Sequence, residues 1–298
     1  KVKKVVAIDK SELAIYNLKK KIINKKILFK LIDINNLNLI EKVIEKEKID
    51  IIFHAAAYKH VNILEKNILS AVKNNIFATY NMCNLSKKYS CNMIFISTDK
   101  AANPKSILGY TKRVAEKTCE YFNSTEGKKN FINVVRFGNV FGSSGSAITS
   151  FLEQINANEP IKITDKKASR YFMTILEACH LVLQTTGIKV KNGIFVLNMG
   201  KPLNILNLAK NLGKIKSRIN PHYNFKYEII GLQPGEKLHE TLVDNNEVKK
   251  RFNDEISLVK NKKIVDSDFL KYYNSLCLCF DQQNENKLLN RLNKISRY

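Results

Sequence analysis

Short apolar runs alternate along the first half of the chain with longer segments whose apolar positions recur at helical spacing. Residues 5–8, ILFKLIDI (27–34), IDIIFHAAA (49–57), NMIFIST (92–98) and NFINVVRFGNVFG (130–142) read as strands. Between them, residues 11–20, LNLIEKVIEKEK (37–48), LSAVKNNIFATYNMCNLSKKY (69–89) and ILGYTKRVAEKTCEYFNS (107–124) carry the helical period. Strand and helix in regular alternation predict an α/β fold with a doubly wound parallel sheet. On such sheets ligands gather at the carboxyl ends of the strands. The residues at those ends are Asp9, Asp33, His54 to Ala57, Ser97 to Lys100 and Arg136 to Asn139.

The second half is less regular. ITSFLEQINAN (148–158), ILEACHLVLQTTG (175–187) and LNILNLAKNLGK (203–214) predict helices. EPIKITDKKASRYFMT (159–174) predicts strand and loop, and GIFVLNMG (193–200) one more sheet strand. YEIIGLQPGEKLHETL (227–242) predicts a strand, a Pro-Gly turn and a helix start, and the tail from about residue 253 a polar stretch, then helix. The expected organisation is a cofactor domain over 1–146, continued by about 176–200. A smaller α/β substrate lobe follows from 147–175 and 201–250, then a helical tail over 251–298.

Charge changes this picture little. The formal net charge is +23, from 50 Lys and Arg against 27 Asp and Glu. The lysines are spread through the chain, with no nucleic-acid-binding motif, so no nucleic-acid partner is expected. No apolar run is long enough to span a bilayer and no metal site is expected. The six cysteines lie in apolar segments, as buried thiols of a reducing, cytoplasmic environment would.

Five stretches carry chemistry: HAAAYKHV (54–61), STDKAANP (97–104), VVRFGNVFGSSGS (134–146), RYFMT (170–174) and LQPGEKLHE (232–240). The residues alone leave two readings of Asp99 and Lys100. They form an acid–base pair, or Asp99 caps the next helix and Lys100 is a solvated charge. Asp9, ending an early strand, suits a ribose 2′-hydroxyl and so NAD, while Lys10 keeps NADP open. The three alanines Ala55, Ala56 and Ala57 permit close approach to an adenosine.

In series, these motifs resemble the CapD-type polysaccharide-biosynthesis proteins. These are nucleotide-sugar 4,6-dehydratases of the extended short-chain dehydrogenase family, and the likeness is greatest to the long, membrane-anchored members. The resemblance implies conversion of UDP-N-acetylglucosamine to a 4-keto-6-deoxy sugar nucleotide, with a tightly bound NAD or NADP regenerated in each cycle. It also implies a homo-oligomer, at the cytoplasmic face of the inner membrane where the parent protein is anchored. A sugar-nucleotide epimerase of the same fold and a non-catalytic remnant stay open.

By the same resemblance Asp99 and Lys100 do the acid–base work, Thr98 bonds the C4 oxygen and Lys112 holds the nicotinamide ribose. Asp9, Asp33, His54, Asn75 and Ser97 are assigned to the cofactor side. Lys59, His60, Asn139, Arg170, Gln233 and Glu236 are assigned to the sugar nucleotide. A lysine titrates near about 10.4, so a Lys100 base requires desolvation, and Asp99 must then be protonated.

There are three departures. The family's Tyr position is Leu108, and Tyr110 stands two residues before Lys112, about 200° away around a helix. Gln233 replaces the usual Arg of the Pro-Gly turn, a contact worth about 1.5–3 kcal/mol, for which Lys237 or Lys201 is expected to compensate. Finally, no Gly-rich pyrophosphate loop is present, and a sheet lacking its first strand and that loop is expected.

Overall fold

A computed structural model of the chain describes residues 2–124, 130–143, 145–188, 193–261 and 268–297. It opens with β1 (Val5–Asp9), α1 (Glu12–Lys21), β2 (Ile27–Leu31), α2 (Leu37–Glu47) and β3 (Ile51–His54). Two short helices follow, α3 (Val61–Leu64) and α4 (Ile68–Val72). A π turn at Lys73–Phe77 joins α4 to α5 (Ala78–Lys88), and then come β4 (Asn92–Thr98) and α6 (Ile107–Ser124).

After β5 (Ile132–Phe137) stand β6 (Asn139–Val140), α7 (Ala147–Asn156), β7 (Ile161–Ile163), β8 (Ser169–Arg170), β9 (Phe172–Met173) and α8 (Ile175–Gln184). The chain continues through β10 (Ile194–Leu197), β11 (Leu203–Asn204), α9 (Ile205–Ile219), β12 (Tyr227–Ile229), β13 (Glu247–Arg251) and β14 (Ile256–Asn261). It ends in α10 (Asp268–Asp281) and α11 (Glu285–Arg297).

The main sheet has the order β13-β14-β10-β5-β4-β3. Its β10, β5, β4 and β3 are parallel, as the apolar runs predict for strands buried on both faces. Ile94, Phe95, Val134, Val135, Phe195 and Val196 fill its two sides against α5, α6 and α8. Two expectations need correction here. The segment after about residue 250 is not only helical, because β14 pairs antiparallel with β10 and carries β13 as the sheet edge. The helix start expected after the Pro-Gly turn does not form. There, Leu238 and His239 pair with Ser169, which donates its N–H to Leu238 O at 3.0 Å.

β1 and β2 pair in parallel with each other. Lys4 reaches Glu47 at 2.7 Å, before β3, and Lys10 hydrogen-bonds Tyr58, just after β3, so β1 and β3 share a direction. Among the described residues no strand bonds to the free edge of β1 or of β3. No helix of the described residues is long and apolar enough to cross a membrane.

Candidate active site

The site begins where β4 ends. Ser97 is buried and its hydroxyl donates to Glu116 at 2.6 Å. Thr98 turns the chain into a single 3-10 turn, Asp99–Ala101, and its Oγ1 donates to Asp99 Oδ1 at 2.9 Å. Lys100 folds back on its neighbour, with Nζ donating to the same Oδ1 at 3.1 Å. Asp99 is fully buried, and its Oδ2 has no hydrogen-bond partner among the described residues. Two glycines make room. A Cβ on Gly138 would stand 3.0 Å from Asp99 Oδ2, and one on Gly109 would stand 2.5 Å from Lys100 O.

A second carboxylate closes on the pair. Glu240 Oε1 lies 3.8 Å from Lys100 Nζ, and Lys237 Nζ lies 3.2 Å from Glu240 Oε2, an ion pair without hydrogen-bond geometry. Lys237 donates to Ala102 O at 2.7 Å. Burial pulls the Lys100 ammonium down, but Asp99 and Glu240 outweigh it and hold the group above its ordinary value. A resting Lys100 base requires a depressed lysine, and the shift of Lys100 runs the other way.

Beside this cluster lies the Arg170 group. Arg170 donates to Glu236 Oε1 at 2.7 Å and to the carbonyls of Ser169 and Leu238 at 2.9 and 3.0 Å. Glu236 also accepts from Thr164, and its second oxygen accepts the Gln233 N–H. Asn139 is half-buried, with its N–H on Tyr171 O at 2.9 Å. Lys59 and His60 are exposed, and the His60 ring lies against Gly145.

The expected cofactor residues separate into two sets. Asp9 and Asp33 are exposed at the ends of β1 and β2. Asp33 accepts the N–H and the amide of Asn35, and these bonds hold its carboxyl below the usual range. With Asn35, Asn36, Leu37 and Asn38 it lines an open depression of about 510 Å³. Ala55 and Ala56 are exposed and Ala57 is half-buried, all just beyond β3.

The other set is buried between sheet and helices. His54 bonds Thr79 at 2.9 Å, and burial together with Lys112 pushes its ring down to about 3. Lys112 donates to Ile96 O at 2.6 Å and stands 4.2 Å over the Phe95 ring, and burial lowers it to about 8. Asn75, placed by the π turn, clamps both backbone groups of Tyr58 and donates to Thr111, so it positions the loop after β3. Leu108 is buried among Leu64, Ile68, Ile107 and Val114, a site with no polar task.

The geometry fits part of a nicotinamide dinucleotide. Lys112 spends one of three donors on Ile96 O, which leaves two for ribose hydroxyls, and the buried His54 Nδ1 lacks a partner. Asp33 and the alanines beyond β3 suit the adenosine end. For the pyrophosphate the described residues offer no Gly-rich turn, and the start of α1 carries Glu12, the wrong charge for that group. Sequence reasoning missed Glu240 as a site residue. It stands inside the quoted LQPGEKLHE motif, but its partner Lys100 is far away along the chain.

Comparison with known proteins places these motifs in one family. The model for the family described as polysaccharide biosynthesis protein matches residues 1–261. The capsular polysaccharide biosynthesis protein CapD of Staphylococcus aureus is 41% identical over 217 residues, 72% of this chain and 36% of that protein. This chain thus spans about a third of the length of the first curated relatives it matches. A UDP-N-acetylglucosamine 4,6-dehydratase (inverting) of Campylobacter jejuni is 32% identical over 230 residues, 74% of this chain and 65% of that one. A protein named UDP-glucose 4-epimerase, from Rickettsia bellii, is also 32% identical, over 76% and 65%. Among solved structures, Pen from Bacillus thuringiensis is 30% identical with a TM-score of 0.82, over 87% of this chain and 80% of its own.

Proposed function

The chain belongs to the polysaccharide biosynthesis protein family, and from that membership we propose that it is a nucleotide-sugar 4,6-dehydratase acting on UDP-N-acetylglucosamine with NAD or NADP. The observation that carries the reading is the Asp99–Lys100 pair, its carboxylate buried and its lysine half-buried, set at the carboxyl end of a central strand with one carboxylate oxygen unpartnered. When bound, the nicotinamide supplies reversible hydride transfer, first from C4 of the sugar and finally to C6. As C4 is oxidised its hydroxyl gives up a proton to solvent. One proton then leaves C5 and another reaches the departing C6 hydroxyl, and as C6 is reduced C5 takes a proton back from the group that removed it.

Asp99 Oδ2 is the acceptor for the C5 proton. The Lys100 ammonium, held charged by two carboxylates, is the donor to the C6 oxygen. Thr98 sits next to both groups, where its hydroxyl can bond the C4 oxygen in place of the missing Tyr. Lys112 and the adenosine-side residues Asp33 and Ala55 to Ala57 hold the cofactor, and Asn75 fixes the loop that carries the alanines. Arg170, with its fork already aligned by Glu236, faces the diphosphate of the sugar nucleotide.

A second reading is a 4-epimerase, which the Rickettsia bellii relative favours. That reaction needs proton transfer only at the C4 oxygen and leaves the substrate mass unchanged. The test is mass spectrometry after incubation with UDP-N-acetylglucosamine and NAD or NADP. The expected product has lost one water. Asp99→Asn and Lys100→Met should each lower its rate at least about a hundredfold, about 2.7 kcal/mol of barrier. A product of unchanged mass, or near-normal turnover in either variant, overturns the reading.

A further inference from the structure

Four charged groups form one closed set at the site: Asp99, Lys100, Glu240 and Lys237. Glu240 is the group without an obvious purpose. It lies in an irregular segment, yet its side chain is only 3% exposed. Burying a carboxylate there costs several kcal/mol unless cations repay it. A single lysine, Lys237, would suffice for that, and it contacts the other oxygen. Glu240 nevertheless directs Oε1 toward Lys100.

We infer that Glu240 is a positioning residue, which with Asp99 holds the Lys100 ammonium in place and keeps it charged. The proposal rests on the dehydratase reading for the use of that proton, not for the contact itself. The groups facing Lys100 are Asp99 on its own turn, Glu240 and Arg170, with Lys237 behind Glu240. Burial is the largest single influence and works against the charge, and Arg170 adds to it. Asp99 and Glu240 together reverse the balance. Lys237 ties the arrangement to the loop after the acid–base pair, through its bond to Ala102 O.

Two variants move the balance in opposite directions. Glu240→Gln keeps the shape and removes one of the two carboxylate charges. Lys237→Met removes the cation that neutralises Glu240 and so strengthens its pull on Lys100. The measurement is the pH dependence of Lys100 acetylation by acetic anhydride, read by peptide mass spectrometry on the folded full chain. Alongside it stands the alkaline limb of the pH profile of water loss from UDP-N-acetylglucosamine.

The midpoint of acetylation is expected to fall by about one pH unit in Glu240→Gln, as loss of an opposite charge at this range implies. It should rise in Lys237→Met. The alkaline limb should move with it in each case, which a merely structural role would not produce. An unmoved midpoint in folded Glu240→Gln, or a fall in both variants, overturns the inference. Should Glu240→Gln fail to fold, Lys237→Met decides alone: a rise supports and no rise overturns. Opposite shifts in acetylation without any water-loss product uphold Glu240 and refute the dehydratase reading instead.

Discussion

Glu247→Gln tests whether the ionic cluster under the site is what holds the end of β4. Arg136 is fully buried and is bonded on two sides. Its Nη1 and Nη2 reach Glu247 at 2.9 and 3.1 Å, while Nε and Nη2 reach Glu116 at 3.0 and 2.6 Å. Arg113 donates to both carboxylates, and Glu247 also accepts the Asp244 N–H at 2.7 Å. Burial pushes the Glu247 carboxyl up, but Arg136, Arg113 and that N–H outweigh it and bring it from 4.5 to about 2.

At about 1.36 kcal/mol per pH unit the difference corresponds to about 3 kcal/mol of stability. Breaking a buried pair by removing one partner costs a similar amount, about 3–5 kcal/mol. The expected loss for Glu247→Gln at pH 7 is therefore about 3 kcal/mol. A carboxyl whose folded value is depressed gives its full contribution above the unfolded value and loses it as pH falls toward the folded one. By pH 3 about 2 kcal/mol of the wild-type advantage should be gone, and the gap between the two proteins should narrow accordingly. The chain has no Trp, so urea unfolding followed by circular dichroism from pH 7 down to pH 3 is the assay. A loss under about 1 kcal/mol at pH 7, or a gap that stays constant over that range, would refute the reasoning.

Gly138→Ala should leave the protein folded, at a cost of about 1–3 kcal/mol for overpacking, yet cut turnover at least tenfold. Its Cβ would stand 3.0 Å from both Asp99 Oδ2 and Tyr171 Cβ. Thermal unfolding and water-loss assays separate the two effects, and undiminished turnover would mean that Oδ2 is not the working oxygen. Lys112 is lowered by burial to about 8, so between about pH 8 and 10 this group binds more protons in the unfolded chain, and its own contribution to stability rises with pH there. Lys112→Met should lower the slope of urea midpoints against pH by that contribution, while the variant and the wild type share the slopes of the similarly lowered Lys117 and of the buried thiols raised by burial. An identical slope in the variant would show that the Lys112 ammonium is not desolvated.

The parallel strands were legible because burial on both faces makes them continuous apolar runs, and α6 was legible because its helical period runs without interruption to Ser124. What the pattern could not show was decided by partners distant in the chain. Residues 236–242 carry a helix-like start, but pairing of Leu238 and His239 with Ser169 takes the backbone elsewhere. β14 is a short run after a charged stretch, and it becomes a strand because the edge of β10 is there to receive it. Ser97 stands at a strand end and so reads as a ligand contact, yet its hydroxyl is committed to Glu116. Lys100 reads as a base in isolation, and Asp99 together with the approaching Glu240 raises it instead. The motifs point to Asp99 and Lys100 together, while the second carboxylate facing that lysine, Glu240, lies beyond any local spacing.

The buried cluster and the Asp99–Lys100 pair are joined by one strand, β4, whose Ser97 donates to Glu116. Apolar groups of equal volume in place of Glu116, Arg136, Glu247 and Arg113 would remove a desolvation cost of several kcal/mol. They would also remove the acceptor for Ser97, one residue before Thr98 and two before Asp99. Lys112 braces the same strand from the other partner it has there, Ile96 O. With both bonds in place the last turn of β4 has little freedom, and Asp99 Oδ2 is held against Gly138 rather than turned toward water. A proton acceptor displaced by about 1 Å can lose about a hundredfold in rate. The charges therefore act in two ways: they stabilise the fold, and through the Ser97–Glu116 bond they hold the end of β4 in place.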